Sequence, residues 1–390
     1  MAKLGEICDI LNGFAFKSEQ YVNNGIRVIR IANVQKGYIE DAAPVFYPID
    51  SKDAKKYSLA EDDILMSLTG NVGRVARLSK EFLPAALNQR VACLRIKKGV
   101  EFNKAFLFNL LNSDEFEQQC IIASKGVAQK NMSTEWLKGY EVPIFSMIQQ
   151  TKIAAILDKV ADLISLRKAQ ISKLDQLVKS RFIELFGDVE RNENGLPTLP
   201  MTALCEIIDG DRSKNYPKQE EFLEEGFCLF LNTKNVTSNG FSFENCMYIT
   251  EQKDKILRKG KLSRGDIVLT TRGTLGNLAC YDESVPYDHM RINSGMVILR
   301  MKRELIVARF FMEQFKMLLN SIKEKVASGS AQPQLPISTM NKIMILVPDI
   351  GQQQLFADFV QQIDKSKFEI QQSLEKLETL KKSLMQQYFG

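Results

Sequence analysis

The pattern of hydrophobic and polar residues changes between two parts of this chain. Over residues 1–145, short runs of β-branched and aromatic residues alternate with Gly, Asn and Pro, a pattern typical of strands and turns. Helical patches such as NKAFLFNLLNSDEFEQQ at 103–119 interrupt these runs. From residue 146 to residue 187, apolar residues recur at heptad-like spacing, which predicts one long helix. The first 187 residues are therefore predicted to form an α+β domain followed by a long helix.

The whole pattern occurs twice. Residues 63–76 read DILMSLTGNVGRVA and residues 266–279 read DIVLTTRGTLGNLA, so that Asp, Ile, two glycines and the final Ala recur 203 positions apart. Further matching pairs are LGEICDI at 4–10 with LCEIIDG at 204–210, NQRVACLRIK at 88–97 with NSGMVILRMK at 293–302, and GVAQKNM at 126–132 with GSAQPQL at 329–335. A period near 200 residues indicates duplication of a whole domain.

The duplication predicts five segments. They are an α+β domain at 1–145, a long helix at 146–187, a linker at 188–199, a second α+β domain at 200–348 and a second long helix at 349–390. Ser146 with Gln149 forms a capping-box pattern at the start of the first helix, and Asp349 occupies the matching place in the second. The fold class is therefore α+β, with two duplicated domains and two long helices.

Each long helix carries a narrow apolar stripe. Its other faces are rich in Lys, Gln, Asp and Glu, which favours a helix-on-helix seam over a helix that lies on its own domain. The simplest partner for each helix is its duplicate, in an antiparallel coiled coil that relates the two domains by a pseudo-twofold axis. The predicted seam residues are Ile156, Val160, Leu163, Ile171, Leu174, Leu177, Phe359, Ile363, Ile370, Leu374, Leu377 and Leu380.

Composition and charge narrow the function classes. The chain is 45% hydrophobic and 25% charged, it has no apolar run of membrane-spanning length, and its start, MAKLGEICDI, lacks signal-peptide features, so we expect a cytoplasmic protein. Seven cysteines lie far apart without a C-x-x-C pair, so we expect free, mostly buried thiols and no metal site. The net charge of +5 permits a polyanionic partner.

Motifs for catalysis are missing from the sequence. His289 is the only histidine, and no dinucleotide, P-loop or zinc-protease motif occurs. Two other classes remain open as alternatives. One is a duplicated coiled-coil adaptor that binds two protein clients without DNA specificity, and the other is a hydrolase that uses carboxylates.

Polar loop residues point instead to the reading of DNA bases. Arginine pairs with guanine in the major groove, and Asn or Gln pairs with adenine. The turn glycines repeat between the copies while the polar residues around them differ, as expected of one scaffold that reads two short sequences. The candidate DNA-binding residues are Thr69, Asn71, Arg74, Asn88, Gln89, Arg90, Lys125, Gln129, Lys130, Thr271, Arg272, Thr274, Asn277, Arg291, Asn293, Gln332 and Gln334.

The duplicated blocks resemble the specificity subunits of Type I restriction–modification systems. The blocks are LGEI and NGFAFKS, GDI and TRGTLGN, NQRV and LR, and VP and QQ, and the resemblance covers nearly all 390 residues. It implies two target-recognition domains, each reading one half of a bipartite site in double-stranded DNA. It also implies that the helices act as a ruler and as the docking surface for two modification (methyltransferase) subunits, which restriction–translocation subunits then join.

The resemblance implies no catalysis and no cofactor for the chain itself. S-adenosylmethionine, ATP and Mg would be bound by the partner subunits, and no membrane is involved.

Overall fold

The computed structural model describes residues 1–124, 131–327 and 334–390. The chain forms two compact units, of which the first is Met1–Ala169 with Gln371–Gly390 and the second is Gln170–Ile370. Each unit holds one α+β domain and a section of both long helices. Among the described residues, none of the helices combines the length and the apolar character that crossing a membrane requires.

The domain of the first unit is built on three small sheets. The central sheet has four antiparallel strands in the order Cys8–Asn12, Val91–Ile96, Ile64–Ser67 and Val75–Arg77. A mixed three-stranded sheet has the order Phe46–Tyr47, Ile26–Ile29 and Ala85–Leu87, and Ala2–Lys3 pairs with Glu141–Val142. The helices are Leu4–Ile7, Lys52–Lys56, Lys104–Leu111, Asp114–Ala123 and Thr134–Gly139.

The second unit repeats this strand order. Its four-stranded sheet runs Cys205–Asp209, Met296–Met301, Ile267–Thr270 and Leu278–Cys280, its three-stranded sheet runs Tyr248–Ile249, Cys228–Leu231 and Met290–Ile292, and Thr198–Pro200 pairs with Met344–Leu346. It adds a hairpin of Val236–Thr237 and Gly240–Phe241. Its helices are Met201–Leu204, Glu251–Ile256, Ala308–Ala327 and Ile337–Met340. The predicted fold class, two copies of an α+β domain with long helices, is confirmed.

The two long helices span Met147–Phe186 and Ile350–Phe389. At the start of the first, the Gln149 backbone N–H donates to Ser146 Oγ over 3.3 Å and the Ser146 N–H donates to Gln149 Oε1 over 3.1 Å. At the start of the second, the Gly351 N–H donates to Asp349 Oδ1 over 2.8 Å. These bonds satisfy backbone donors that a helix leaves unpaired in its first turn.

Within the first unit, the two helix sections run antiparallel. Ile153 and Leu157 share one hydrophobic cluster with Tyr388 and other residues at the end of the second helix. Further along, Lys168 Nζ lies 3.0 Å from Glu378 Oε1. Contacts move backward along one helix as they move forward along the other, which is the antiparallel order.

The sections in the second unit are also antiparallel. The ring of Phe356 packs against Phe182 and Phe186, with centroids 5.3 and 5.8 Å apart. Lys367 Nζ lies 2.5 Å from Asp175 Oδ1. Of the predicted seam residues, Val160 and Leu374 are buried, and Ile156, Leu163, Ile171, Leu174, Phe359, Ile363, Ile370 and Leu377 are half-buried.

Two of the seam assignments are wrong. Leu177 and Leu380, which occupy equivalent positions in the two helices, are each 46% exposed. The next inward-facing position lies four residues after Leu174 and Leu377, not three. Val178 is therefore buried in place of Leu177, and Lys381 is half-buried in place of Leu380. Burial lowers the pKa of Lys381. A lysine can pack its aliphatic stem in a seam, but a search for apolar residues does not find it there.

All seven cysteines are free thiols, and five of them are buried. Burial raises the pKa of the Cys8 thiol to about 12, which keeps it protonated and unreactive. The described residues contain no group of three or more His, Cys, Asp and Glu side chains arranged to hold a metal ion.

Candidate nucleic-acid interface

The repeated turn has the same backbone geometry in both copies. Gly70 and Gly73 have φ angles of 70° and 82°, and Gly273 and Gly276 have φ angles of 69° and 93°. Side chains with a Cβ rarely adopt this left-handed region, so glycine is needed at both places. In the first copy there is a second reason, because a Cβ on Gly73 would lie 2.8 Å from Cys120 Cβ.

A hydroxyl at the end of the preceding strand fixes each turn. Ser67 Oγ donates to the Asn71 carbonyl and accepts from the Arg74 N–H over 3.2 Å. Thr270 Oγ1 makes the equivalent bonds, donating to the Thr274 carbonyl and accepting from the Asn277 N–H over 2.9 Å. The side chains on each turn therefore start from the same backbone positions.

A second polar segment lies beside each turn. Leu68 N–H donates to the Arg90 carbonyl over 3.0 Å, and Thr271 N–H donates to the Gly295 carbonyl over 2.9 Å. These bonds bring the predicted residues at 88–90 and at 293 next to the turn of their own copy. Gln89 and Arg90 are exposed.

A third segment joins the turn from the other side. The Leu68 carbonyl accepts from Met132 N–H over 2.9 Å, and the Thr271 carbonyl accepts from Leu335 N–H over 3.0 Å. Gln334, which is half-buried, precedes Leu335. The predicted residues Lys125, Gln129, Lys130 and Gln332 lie outside the described residues.

In each copy, one arginine lies where the turn meets the segment beside it. The arginine belongs to that segment in one copy and to the turn in the other. In the first copy the arginine is Arg90, and the turn contributes Thr69 across from it. In the second copy the turn contributes Arg272, and Gly295 occupies the place equivalent to Arg90. A Cβ on Gly295 would lie 4.0 Å from Arg272 Cβ. Neither arginine side chain has an ion-pair or hydrogen-bond partner among the described residues.

Several other predicted residues serve the scaffold. Asn277 Nδ2 donates to the Val236 carbonyl over 2.9 Å, which ties the turn to the adjacent hairpin. Thr274 Oγ1 donates to the Thr233 carbonyl over 3.3 Å. The remaining anchored side chains are Arg74, which donates to Gln35 Oε1, Asn88 and Asn293, which accept the N–H groups of Arg90 and Gly295, and buried Thr271, which donates to the Gly295 carbonyl.

The exposure of the predicted residues separates them into three groups. Those exposed are Asn71, Gln89, Arg90, Arg272 and Thr274, those half-buried are Thr69, Arg74, Asn88, Asn277, Asn293 and Gln334, and those buried are Thr271 and Arg291.

The assignment of Arg291 to the DNA surface is wrong. Its side chain is 6% exposed, and its Nε lies 2.5 Å from Asp254 Oδ1. Its remaining donors bond to the Lys259 carbonyl over 2.8 Å and to the Asp254 carbonyl over 2.7 Å. Burial alone would raise the pKa of the Asp254 carboxyl, but hydrogen bonds from Lys261 and Arg291 hold it below its ordinary value. Arg291 is therefore half of an internal ion pair.

Two lysines that the sequence analysis missed lie beside the second turn. A cavity of about 590 Å³ is lined by Lys234, Lys323, Ser238 and Thr274, among others. Lys323 comes from the helix Ala308–Ala327, so no local sequence signal connects it to the turn. In the first copy, Lys36 lies in the corresponding loop but is 2.6 Å from both Asp114 Oδ1 and Glu117 Oε2.

The sequence model of a protein family described as "Type I restriction modification DNA specificity domain" matches residues 1–176 and again residues 201–382. The two matches follow the duplication and together cover most of the chain. This chain belongs to that family. It is similar to the Type I restriction enzyme EcoBI specificity subunit of Escherichia coli, with 21% identity over 99% of this chain and 84% of that subunit.

Another specificity subunit matches part of the chain at higher sequence identity. The Type I restriction enzyme EcoAI specificity subunit of E. coli is 33% identical over 46% of this chain and 30% of its own length. Among solved structures, the Type I restriction–modification S subunit from M. genitalium superposes with a TM-score of 0.62 at 18% identity, covering 100% of this chain and 95% of that one. At this identity, the likeness shows a shared fold.

Proposed function

We propose that this chain is the DNA-recognition subunit of a Type I restriction–modification complex and that each α+β domain reads one half of a bipartite site in double-stranded DNA. The observation that carries the proposal is the pair of free arginines, Arg90 and Arg272. One backbone frame carries an arginine at the same junction in both copies, from opposite sides of that junction.

The chemistry of these residues fits base reading. A guanidinium donates two parallel hydrogen bonds to guanine O6 and N7, and each such pair contributes about 1–3 kcal/mol of discrimination. Asn71 and Gln89 supply exposed amides beside Arg90, and amides suit adenine. Since the exposed polar residues differ between the copies, the two half-sites differ in sequence.

Lys234 and Lys323 have a different part in this proposal. Lysine is a point charge without the planar fork of arginine, so it suits phosphate contacts, which position a protein on DNA without reading sequence. Both lysines line one cavity with Thr274 of the turn, so a phosphate held there would lie beside the turn.

We further propose that two modification subunits dock on the long helices and that restriction–translocation subunits join them. The large apolar side chains that the long helices expose support this proposal, among them Ile148, Leu166, Leu355 and Phe368, which are 53–82% exposed. Catalysis, with S-adenosylmethionine, ATP and Mg, would belong to these partners, and the complex would act on DNA in the cytoplasm.

The test is a selection with random DNA. The chain is purified together with its modification subunit, the complex is mixed with a random-sequence duplex library, and the bound DNA is sequenced. We expect two short enriched blocks at a constant separation. Bound DNA without any enriched sequence would contradict the proposal and would favour a protein-binding adaptor.

A further inference from the structure

A second recognition feature lies in the first unit, in a groove of about 720 Å³. Its walls carry the aromatic side chains Trp136, Tyr140, Tyr388 and Phe389 together with the carboxylates Glu115 and Glu141. No lysine or arginine is among the described residues that line it. Aromatic ring faces and carboxylates both attract organic cations.

The groove is built from rigid elements. Glu115 and Gln119 come from the helix Asp114–Ala123, and Trp136 comes from the helix Thr134–Gly139. Phe116, which is fully buried, packs edge-on against Tyr140 with ring centroids 4.9 Å apart, and Trp136 lies 5.8 Å from Tyr140. These contacts hold the aromatic wall in place before any ligand arrives.

Neither carboxylate of the groove forms an ion pair with a described residue, and Met1 and Gly390 complete the lining. Gln119 Nε2, which carries no charge, donates to Glu115 Oε1 over 2.7 Å. Glu141 is exposed, and its carboxylate has no hydrogen bond or ion pair among the described residues. Burial and the neighbouring Cys120 and Glu115 raise the pKa of Tyr140 to about 12, which keeps its ring neutral.

The second unit has the same groove with different chemistry. A cavity of about 610 Å³ is lined by Leu318, Met344 and Lys342, which lie 203 positions after Glu115, Glu141 and Gly139. Both carboxylates are thus replaced by apolar side chains, and Thr339 and Ile343 stand where the first groove has Trp136 and Tyr140. The lining also holds one lysine, Lys342, and one carboxylate, Glu190, so it lacks the excess of negative charge of the first groove.

We propose that the groove of the first unit binds an arginine side chain on an exposed segment of a partner protein. A planar guanidinium stacks on Trp136 or Tyr140 and donates paired hydrogen bonds to a carboxylate. Lysine, a compact and strongly hydrated charge, uses this geometry less well. The groove of the second unit, in which Glu190 offsets Lys342 and Thr339 and Ile343 replace the aromatic rings, does not offer these contacts. This inference goes beyond DNA recognition and does not depend on it.

The chain contains a reporter for this groove, because Trp136 is its single tryptophan. The full chain, purified without a tag, is titrated with N-acetyl-arginine amide while tryptophan emission is recorded. N-acetyl-citrulline amide, which has nearly the same shape and no charge, is the matched ligand. Glu141→Gln removes one carboxylate from the groove, and Lys342→Gln alters the second groove as the matched protein control.

We expect a saturable change in Trp136 emission with the arginine probe and a much weaker one with the citrulline probe. Loss of a hydrogen bond to a charged group should raise the Kd of Glu141→Gln about tenfold, whereas Lys342→Gln should bind as the unaltered chain does. An equal response to both probes, no saturable response, or an unchanged Kd for Glu141→Gln would overturn the proposal. None of these outcomes bears on DNA recognition, since no DNA is present.

Discussion

Arg90 and Arg272 are the residues through which we propose that one scaffold obtains two specificities. In one copy the arginine comes from the segment beside the turn, and in the other it comes from the turn itself. The guanidinium therefore starts from a different backbone position in each copy, and we expect it to approach a base edge along a different direction. A change of one residue on either side of the junction would then change what the domain offers to DNA.

Replacing these arginines one at a time should affect one half-site each. In the DNA selection, Arg272→Ala should relax the sequence in one enriched block by about 1–3 kcal/mol of discrimination and leave the other block intact. Arg90→Ala should do the reverse. Asn277→Ala is the control within the same turn, since it removes an anchoring bond to Val236 and not a free side chain. Loss of sequence in both blocks after one replacement would contradict separate reading.

Arg291 should behave in the opposite way, as a residue for stability. Arg291→Ala removes the closest partner of the buried Asp254 carboxylate and leaves Lys261, 2.6 Å away, in place. Breaking a buried ion pair completely typically costs 3–5 kcal/mol, so we expect a loss of about 3 kcal/mol, at the lower end of that range. Denaturant unfolding measures it. The exposed Arg272→Ala serves as the control and should change stability by less than about 0.5 kcal/mol. Equal stabilities of the two variants would show that the ion pair contributes nothing.

The sequence predicts the polar residues as a set but does not separate free side chains from those anchored by internal hydrogen bonds. Arg291 and Arg272 are both arginines in the second copy, yet the burial of Arg291 depends on Asp254, which lies 37 positions away. Lys234 and Lys323 were missed because only the folded chain brings the helix Ala308–Ala327 beside the turn. Pairing between distant residues is decided by tertiary structure, and local pattern does not contain it.

The elements were more predictable than the side chains. A repeat at 203 positions predicts a repeated strand order, and both long helices begin next to their predicted caps. The register of the seam was less predictable at Leu177 and Leu380, because leucine is a stronger apolar signal than the residue that follows it. The helix instead turns Val178 and Lys381 inward, since burial follows the angle around the helix and not hydrophobicity alone.

The turn itself offers a matched pair of substitutions. Gly70→Ala meets nothing within 4 Å and should lose only the roughly 1 kcal/mol that a left-handed residue costs. Gly73→Ala brings a Cβ to 2.8 Å from Cys120 Cβ on a buried helix face and should lose about 1–3 kcal/mol more. Thermal or urea unfolding compares the two. A Gly73→Ala protein as stable as Gly70→Ala would mean that the turn does not pack closely on the helix Asp114–Ala123.

At the scale of the whole molecule, the net charge of +5 is low for a protein that binds DNA by itself. Among the described residues near the turns, Lys36 is already paired with two carboxylates. We therefore expect phosphate neutralisation to come largely from partner subunits, while this chain contributes the reading of bases. The family to which the chain belongs is described by its DNA specificity domain.

That each domain reads its own half of one DNA site is tested most directly in cells that make this chain with its modification subunit. Methylated adenines are mapped across the genome, first with the unaltered chain and then with Arg272→Ala. We predict one motif of two short specified blocks with a fixed gap of unspecified bases, of which Arg272→Ala relaxes a single block. Methylation without a motif, or at one undivided block that is lost as a whole, would contradict recognition by two separate domains.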